Sequence, residues 1–335
     1  MSENTLLEVQ DLKVHFGGKK LFRKAQIVHA VDGVSFTVPK GKAFGILGES
    51  GAGKTTTALA VLRLVPLTDG TVRIDDAEFS ALRKNELREA RHKVQIIFQD
   101  PYSSLNPHRR IGDIVREPLD LMDIGLETDR DQMVLDLFVQ VGLQPELTLL
   151  FPHQISGGQK QQVCLARALA TKPALIVCDE PVSAIDISVR AQILNLMRKL
   201  QEDLGLTYLF FSRDPGVVQY LCDHVAVMYL GQVVEQADRI ALFSNPQHPY
   251  TKALLAAVPK VRPQVGNEKK VPLAGDPPSP INLPMGCRFA DRCPVAFEKC
   301  YRVVPELKDR GNGHMASCHL LDKGLVTAKL GNGLE

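Results

Sequence analysis

Residues 43–56, AFGILGESGAGKTT, set an apolar run, a glycine-rich turn and the start of a helix in one continuous stretch. AFGIL (Ala43–Leu47) has the length and unbroken hydrophobicity of a strand buried on both faces. GESGAGKTT (Gly48–Thr56) fits the pattern G-x-x-x-x-G-K-[ST], and the helix-forming run TTTALAVLRLV follows it. Gly48, Gly51 and Gly53, with Glu49, Ser50 and Ala52 between them, let the backbone fold into a nest whose N–H groups face phosphate oxygens. The helix start adds its dipole. Lys54 is expected to reach the β- and γ-phosphates and the Thr55 hydroxyl to ligate Mg²⁺, with Thr56 in the same turn. The register points to an α/β protein that binds a nucleoside triphosphate.

Working outward, LLEVQ (Leu6–Gln10) and VSFTV (Val34–Val38) read as short strands, and TDGTVRID (Thr68–Asp75) as a turn between strands. VQIIF (Val94–Phe98), ALIVC (Ala174–Cys178) and TYLFF (Thr207–Phe211) are further runs suited to a buried parallel sheet. Between Phe98 and Ala174 the pattern is helical, as in DQMVLDLFVQVGL (Asp131–Leu143), so a helical insertion of about residues 100–172 is expected in the α/β core. The run ALIVC ends in Asp179 and Glu180, which puts two carboxylates at the C-terminal edge of a parallel sheet, where such sheets bind ligands. Asp179 suits Mg²⁺, and Glu180 suits a general base that polarises the attacking water.

A chain of 335 residues and 36.9 kDa exceeds one minimal module and can bury a core without disulfides. Hydrophobic content of 44% with 23% charged residues argues against disorder. The net charge of +2 gives no general electrostatic case for nucleic acid. No apolar run approaches the roughly 18 residues of a membrane span, and the start MSENTLLEVQ lacks signal-peptide features. These features suggest a cytosol-facing chain able to dock on a membrane protein. Nine of the 21 prolines fall between Pro259 and Pro305, which disfavours regular helix or central strand there. A boundary is expected near Val258: residues 1–258 as one domain, and residues 259–335 as a Pro-rich connector and cysteine-bearing region.

The segment ISGGQKQQVCLARALA (Ile155–Ala170) sets Ser156, Gly157, Gly158 and Gln159 at a helix start, a further anion-binding arrangement. It resembles the LSGGQ signature of ATP-binding-cassette (ABC) proteins. The order of the other motifs agrees: Gln99 in IIFQDPYSSLNP resembles the Q-loop, and SAID (Ser183–Asp186) the D-loop with Asp186. The resemblance implies a P-loop NTPase cassette with a RecA-like α/β core, an antiparallel β subdomain and a helical subdomain. It also implies that Phe16 stacks on adenine, that Gln99 joins Thr55 and Asp179 around Mg²⁺, and that ATP lies between one chain's phosphate loop and another chain's Ser156–Gln159. DPYSSLNP (Asp100–Pro107), PHQISGGQ (Pro152–Gln159), NPQHPYT (Asn245–Thr251) and PLAGDPPSP (Pro272–Pro280) narrow the resemblance to ATPase subunits of dipeptide and oligopeptide importers, most like the F-type subunit of dipeptide permeases. The implied partners are a second ATPase subunit in a heterodimer, two integral-membrane permease subunits and a substrate-binding protein, at the cytoplasmic face of the membrane. A related nickel or other small-solute importer is an alternative.

One position departs from that pattern. The family's switch histidine would follow Ser212, but this chain reads SRDPGVV, with Arg213. Arginine binds phosphate bidentately yet cannot act as a neutral acceptor. Two outcomes stay open: slow hydrolysis at this chain's own site, or adequate substitution by Arg213.

The tail carries Cys287, Cys293, Cys300 and Cys318 with spacing C-x5-C-x6-C-x17-C. Four thiolates can hold zinc or an iron–sulfur cluster. Absence of paired C-x2-C knuckles favours iron–sulfur over zinc, and the family resemblance implies a [4Fe–4S] cluster. Cys164, Cys178 and Cys222 lie in apolar or helical settings and read as packing residues. Three function classes compete: a transport ATPase, a soluble cassette acting on nucleic acid or translation factors, and a regulatory subunit that mainly binds ATP. The soluble class commonly carries two cassettes or a coiled-coil insertion, and this chain shows neither.

Overall fold

In a computed structural model, which describes residues 4–17, 26–256, 275 and 278–322, the run AFGIL is an inner strand of an eight-stranded sheet. The chain begins with β1 (Thr5–Phe16) and β2 (Val28–Pro39), then β3 (Ala43–Leu47), α1 (Lys54–Val61), β4 (Asp69–Ile74), β5 (Ala77–Glu78) and α2 (Lys84–Ala90). After β6 (Val94–Ile97) come α3 (Pro101–Ser104), α4 (Ile111–Leu121), α5 (Arg130–Gln140) and α6 (Gly157–Leu169). The core resumes with β7 (Leu175–Asp179), α7 (Ile187–Leu204), β8 (Thr207–Ser212), α8 (Pro215–Leu221), β9 (His224–Tyr229) and β10 (Gln232–Asp238). There follow α9 (Arg239–Ser244), α10 (Pro249–Ala256), α11 (Glu298–Arg302), β11 (Lys308–Asp309), β12 (Met315–Ala316) and α12 (His319–Asp322).

The large sheet runs β11-β12-β10-β9-β3-β8-β7-β6, with parallel pairing from β6 to β9 and antiparallel pairing beyond β9. Every residue of β3, β7 and β8 is buried, as their unbroken apolar runs require. β6 ends the sheet at its other side, and two of its four residues are only partly buried. The strand ends deliver Gly48, Glu180 and Arg213 to one edge, immediately after β3, β7 and β8.

The second sheet, β2-β1-β4-β5, is antiparallel. Its strands are longer than the sequence suggests, because β1 pairs with β2 across irregular registers and continues to Phe16. TDGTVRID is not a turn: Asp69–Ile74 forms β4, paired with β1 from Leu7↔Ile74 to Lys13↔Asp69. Its alternation of buried Val72 and Ile74 with less buried Thr71 and Arg73 is the period of a half-buried strand. Gly70, at φ 91°, lies inside β4, facing the register shift of β1 between Gln10 and Lys13.

The helical insertion stands as expected between β6 and β7, with α4, α5 and α6 sharing the buried Ile114, Val115, Phe138 and Val163. Cys164, Cys178 and Cys222 are all buried, as packing residues would be. The expected boundary at Val258 and most of the connector lie outside the described residues. The tail beyond them adds β12 to the core sheet, where Glu235 pairs with Ala316. Among the described residues no helix is long and apolar enough to cross a membrane.

Candidate nucleotide site

The phosphate loop is shaped by contacts that exclude side chains. Gly53 caps α1 at φ 102°, and a Cβ there would stand 2.2 Å from the Ala30 carbonyl oxygen. Only glycine fits both demands. The Gly48 N–H donates to the Ser212 carbonyl at 3.3 Å, tying the loop to the end of β8. Lys54 is buried, and its Nζ donates to the carbonyls of Gly48 and Glu49, each at 2.9 Å. The ammonium thus crosses beneath the loop, and burial lowers its pKa against the opposing pull of Glu180.

Glu180 is the point of convergence. Its Oε1 lies 3.4 Å from Lys54 Nζ, and both side chains are under one-tenth exposed. Its Oε2 accepts from Arg213 Nε at 2.8 Å and from Gln99 Nε2 at 3.4 Å. Its backbone sits at φ 47°, a left-handed conformation held by Glu180 N–H to Phe211 O at 3.0 Å. A non-glycine residue in that region stores strain of the kind concentrated at functional sites.

Asp179, one residue earlier, is buried, and burial raises its pKa. The neighbouring Thr55 hydroxyl pulls that pKa back down, while Asp179 Oδ1 is buried without a hydrogen-bond partner. A buried carboxylate oxygen left without a partner beside a hydroxyl fits a hard divalent cation that takes oxygen ligands.

Ser156, Gly157, Gly158 and Gln159 form the expected helix start. Ser156 caps α6, accepting from Gln159 N–H at 3.3 Å, and Gln159 Oε1 accepts from Ser156 N–H at 2.9 Å. These bonds are local; Ser156 is exposed and does not join the network around Glu180. Gly158 permits close packing of α6 on α7, since a Cβ would stand 2.5 Å from Val189 Cγ1. Asp186 is exposed before α7, and Phe16 at the end of β1 is 41% exposed, leaving ring surface free for stacking.

The four tail cysteines line one cavity with His248 and Phe289. Burial pushes the Cys287 and Cys293 thiols up to about 11, with neighbouring cysteines adding to the effect. Desolvated thiols grouped without a cation are the donor set a metal centre needs. Among the described residues, only His15, His29 and Asp32 bring three ligand atoms within 4.8 Å of one another.

Sequence reading missed Arg292 and Tyr250, which touch the phosphate loop, and Tyr229, which braces Arg292. Arg292 forms an ion pair with Glu49, Tyr250 Oη accepts from Glu49 N–H at 3.0 Å, and Tyr229 Oη bonds to Arg292. Nothing local marks that role, because Arg292 and Tyr250 reach the loop from distant parts of the chain.

A phosphate loop after an inner parallel strand, an acidic pair ending a nearby strand and a capped SGGQ helix on a helical insertion together define an ABC-type ATPase, which binds ATP and Mg²⁺. The sequence matches the ABC transporter family over residues 31–183 and the oligopeptide/dipeptide transporter C-terminal region over residues 234–300. It is 43% identical over 323 residues to the oligopeptide transport ATP-binding protein AppF of Bacillus subtilis, covering 95% of this chain and 98% of that protein. It is 44% identical over 331 residues to the dipeptide transport ATP-binding protein DppF of Haemophilus influenzae, covering 96% and 99%. The fold resembles the ATP-binding cassette MJ0796 in a dimeric post-hydrolysis state bound to ADP and Pi, with 26% identity, TM-score 0.63, and coverage of 70% of this chain and 99% of that one. The chain belongs to the ABC transporter ATP-binding proteins of the oligopeptide and dipeptide transporter family.

Proposed function

We propose that the chain is the ATP-binding subunit of an importer of di- or oligopeptides, and that residues 1–258 form its ATPase domain while residues 259–335 form a regulatory, metal-bearing region. The convergence of Lys54, Gln99 and Arg213 on Glu180 carries the chemistry. The cargo class rests on the relatives named for oligopeptide and dipeptide transport.

Gly48–Thr56 receives the triphosphate, with Lys54 leaving its carbonyl partners for the β- and γ-phosphates. Phe16 stacks on adenine. Thr55, Asp179 and Gln99 would hold Mg²⁺, which would supply positive charge against the charge that develops on the phosphates. Glu180 takes the proton of the attacking water. Ser156–Gln159 and Asp186 face a second ATPase subunit, whose loop presents the γ-phosphate to the α6 start. Two such subunits close on ATP and part after hydrolysis, a γ-phosphate-biased switch that drives two membrane subunits at the cytoplasmic face. A substrate-binding protein delivers the peptide.

Arg213 engages Glu180, which supports slower hydrolysis at this chain's own site. A guanidinium hydrogen-bonded to the base competes with water for its lone pairs. Cys287, Cys293, Cys300 and Cys318, which line one cavity, hold a [4Fe–4S] cluster in this reading. Such a group would anchor the tail and make it sensitive to oxidation.

The test is Lys54→Ala in the assembled transporter. Loss of both ATP binding and peptide uptake is expected, and retention of both removes the reading.

A further inference from the structure

The cysteine-bearing tail reaches the phosphate loop through Arg292. Arg292 Nη1 lies 2.7 Å from Glu49 Oε2 and Nη2 3.1 Å from Oε1, a two-point grip across 243 residues of sequence. The Arg292 side chain is 6% exposed and Glu49 26%, so the pair is largely withdrawn from water. Arg292 Nη1 also bonds to Tyr229 Oη at 3.3 Å, and the guanidinium lies 5.7 Å from the Tyr229 ring centre and 6.0 Å from that of Phe289. Glu49 is therefore held at both ends, its carboxylate by Arg292 and its N–H by Tyr250.

Glu49 matters to the nucleotide for two reasons. Its carbonyl is one of the two oxygens that fix Lys54 Nζ, so moving Glu49 moves the ammonium. Its carboxylate is a negative charge inside a loop shaped for a polyanion, and an unpaired one repels triphosphate. Arg292 cancels that charge and fixes its position. A buried ion pair is weak grounds for added stability, whereas a bidentate arginine fork confers geometry.

We propose that Arg292 is a positioning residue for ATP binding: from the cysteine-bearing tail it neutralises and orients Glu49, and so keeps the phosphate loop receptive to the triphosphate. The tail is thereby part of the ATP site. This rests on the ATP site at Gly48–Thr56 read above.

The test compares wild type, Arg292→Met, Arg292→Lys and Arg292→Met/Glu49→Gln in the assembled transporter, reading KM for Mg-ATP, kcat and direct Mg-ATP affinity. Arg292→Met exposes the loop to an uncompensated carboxylate, so KM is expected to rise about tenfold or more with a smaller change in kcat. Adding Glu49→Gln removes that charge and should return KM most of the way. Arg292→Lys keeps the charge without the fork and should raise KM a few fold. A KM within twofold of wild type for Arg292→Met, or no recovery on adding Glu49→Gln, overturns the proposal. If Arg292→Met fails to fold, Arg292→Lys decides alone: a raised KM supports the proposal and an unchanged one overturns it. Lys54→Ala separates the two levels, because Mg-ATP binding that survives it removes the ATP-site reading itself. Loss of binding there with normal KM in the Arg292 variants removes only the role of Arg292.

Discussion

Arg213 Nε donates to Glu180 Oε2 at 2.8 Å, so the carboxylate at the head of the nucleotide site is gripped by a guanidinium about half exposed to solvent. The same carboxylate also meets the buried ammonium of Lys54 at 3.4 Å. Two cations on one candidate base restrict the lone pairs open to water. Arg213→His is therefore expected to raise ATP turnover in the assembled transporter, on the order of tenfold, toward what a freed general base contributes. Steady-state phosphate release checks this, and an unchanged or lower rate means that arginine serves adequately.

Asp179 offers an unpartnered buried Oδ1 beside the Thr55 hydroxyl. Asp179→Asn removes the charge that a hard cation requires while keeping the shape. Turnover should fall by about a hundredfold or more, and the Mg²⁺ concentration for half-maximal rate should rise. A Mg²⁺ titration of ATPase activity reads both, and an unaltered Mg²⁺ dependence would place the ion elsewhere.

The tail sulfurs are expected to bring iron with them. Protein purified without air should be brown and contain iron and acid-labile sulfide near four of each per chain, the composition of a four-iron cluster bound by four cysteines. Cys300→Ser, at a sulfur that is itself buried, should lower both together. Colourless protein with one equivalent of zinc would refute the cluster.

His248 carries a prediction about acid stability. It is fully enclosed, its Nδ1 accepts the Tyr250 N–H at 3.0 Å, and burial pulls its pKa from 6.5 down to about 4. An unfolded chain binds that proton below 6.5 whereas the folded one waits until about 4, so the unfolded state holds more protons between those limits. The contribution is complete above pH 6.5 and is lost as pH falls toward 4, on the order of 3 kcal/mol over the window. Denaturant unfolding at stepped pH should show this slope, and His248→Gln, which keeps an acceptor that does not titrate here, should flatten it. An equal slope in both proteins would assign the acid sensitivity to other groups.

Much of the site was legible because its chemistry is local. Gly48–Thr56 must follow a strand and open a helix, Ser156 caps a helix within three residues, and the runs at β3, β7 and β8 are buried on both faces as unbroken hydrophobicity demands. TDGTVRID misled because its glycine and aspartates resemble a turn, while its pairing partner, β1, lies some sixty residues earlier. A short strand takes its identity from the neighbour that completes its ladder, and that neighbour is invisible in a short window.

The amino-acid sequence alone determined that a phosphate loop, an acidic pair and a capped signature helix exist, and that four cysteines gather in the tail. Only the tertiary structure decided that Arg213 closes on Glu180, that β12 joins the core sheet, and that Arg292 reaches the loop at Glu49. The division follows from range. Backbone nests, caps and buried strands are set by neighbours a few residues apart, whereas an ion pair between segments 243 residues apart exists only once the packing of both has placed them face to face.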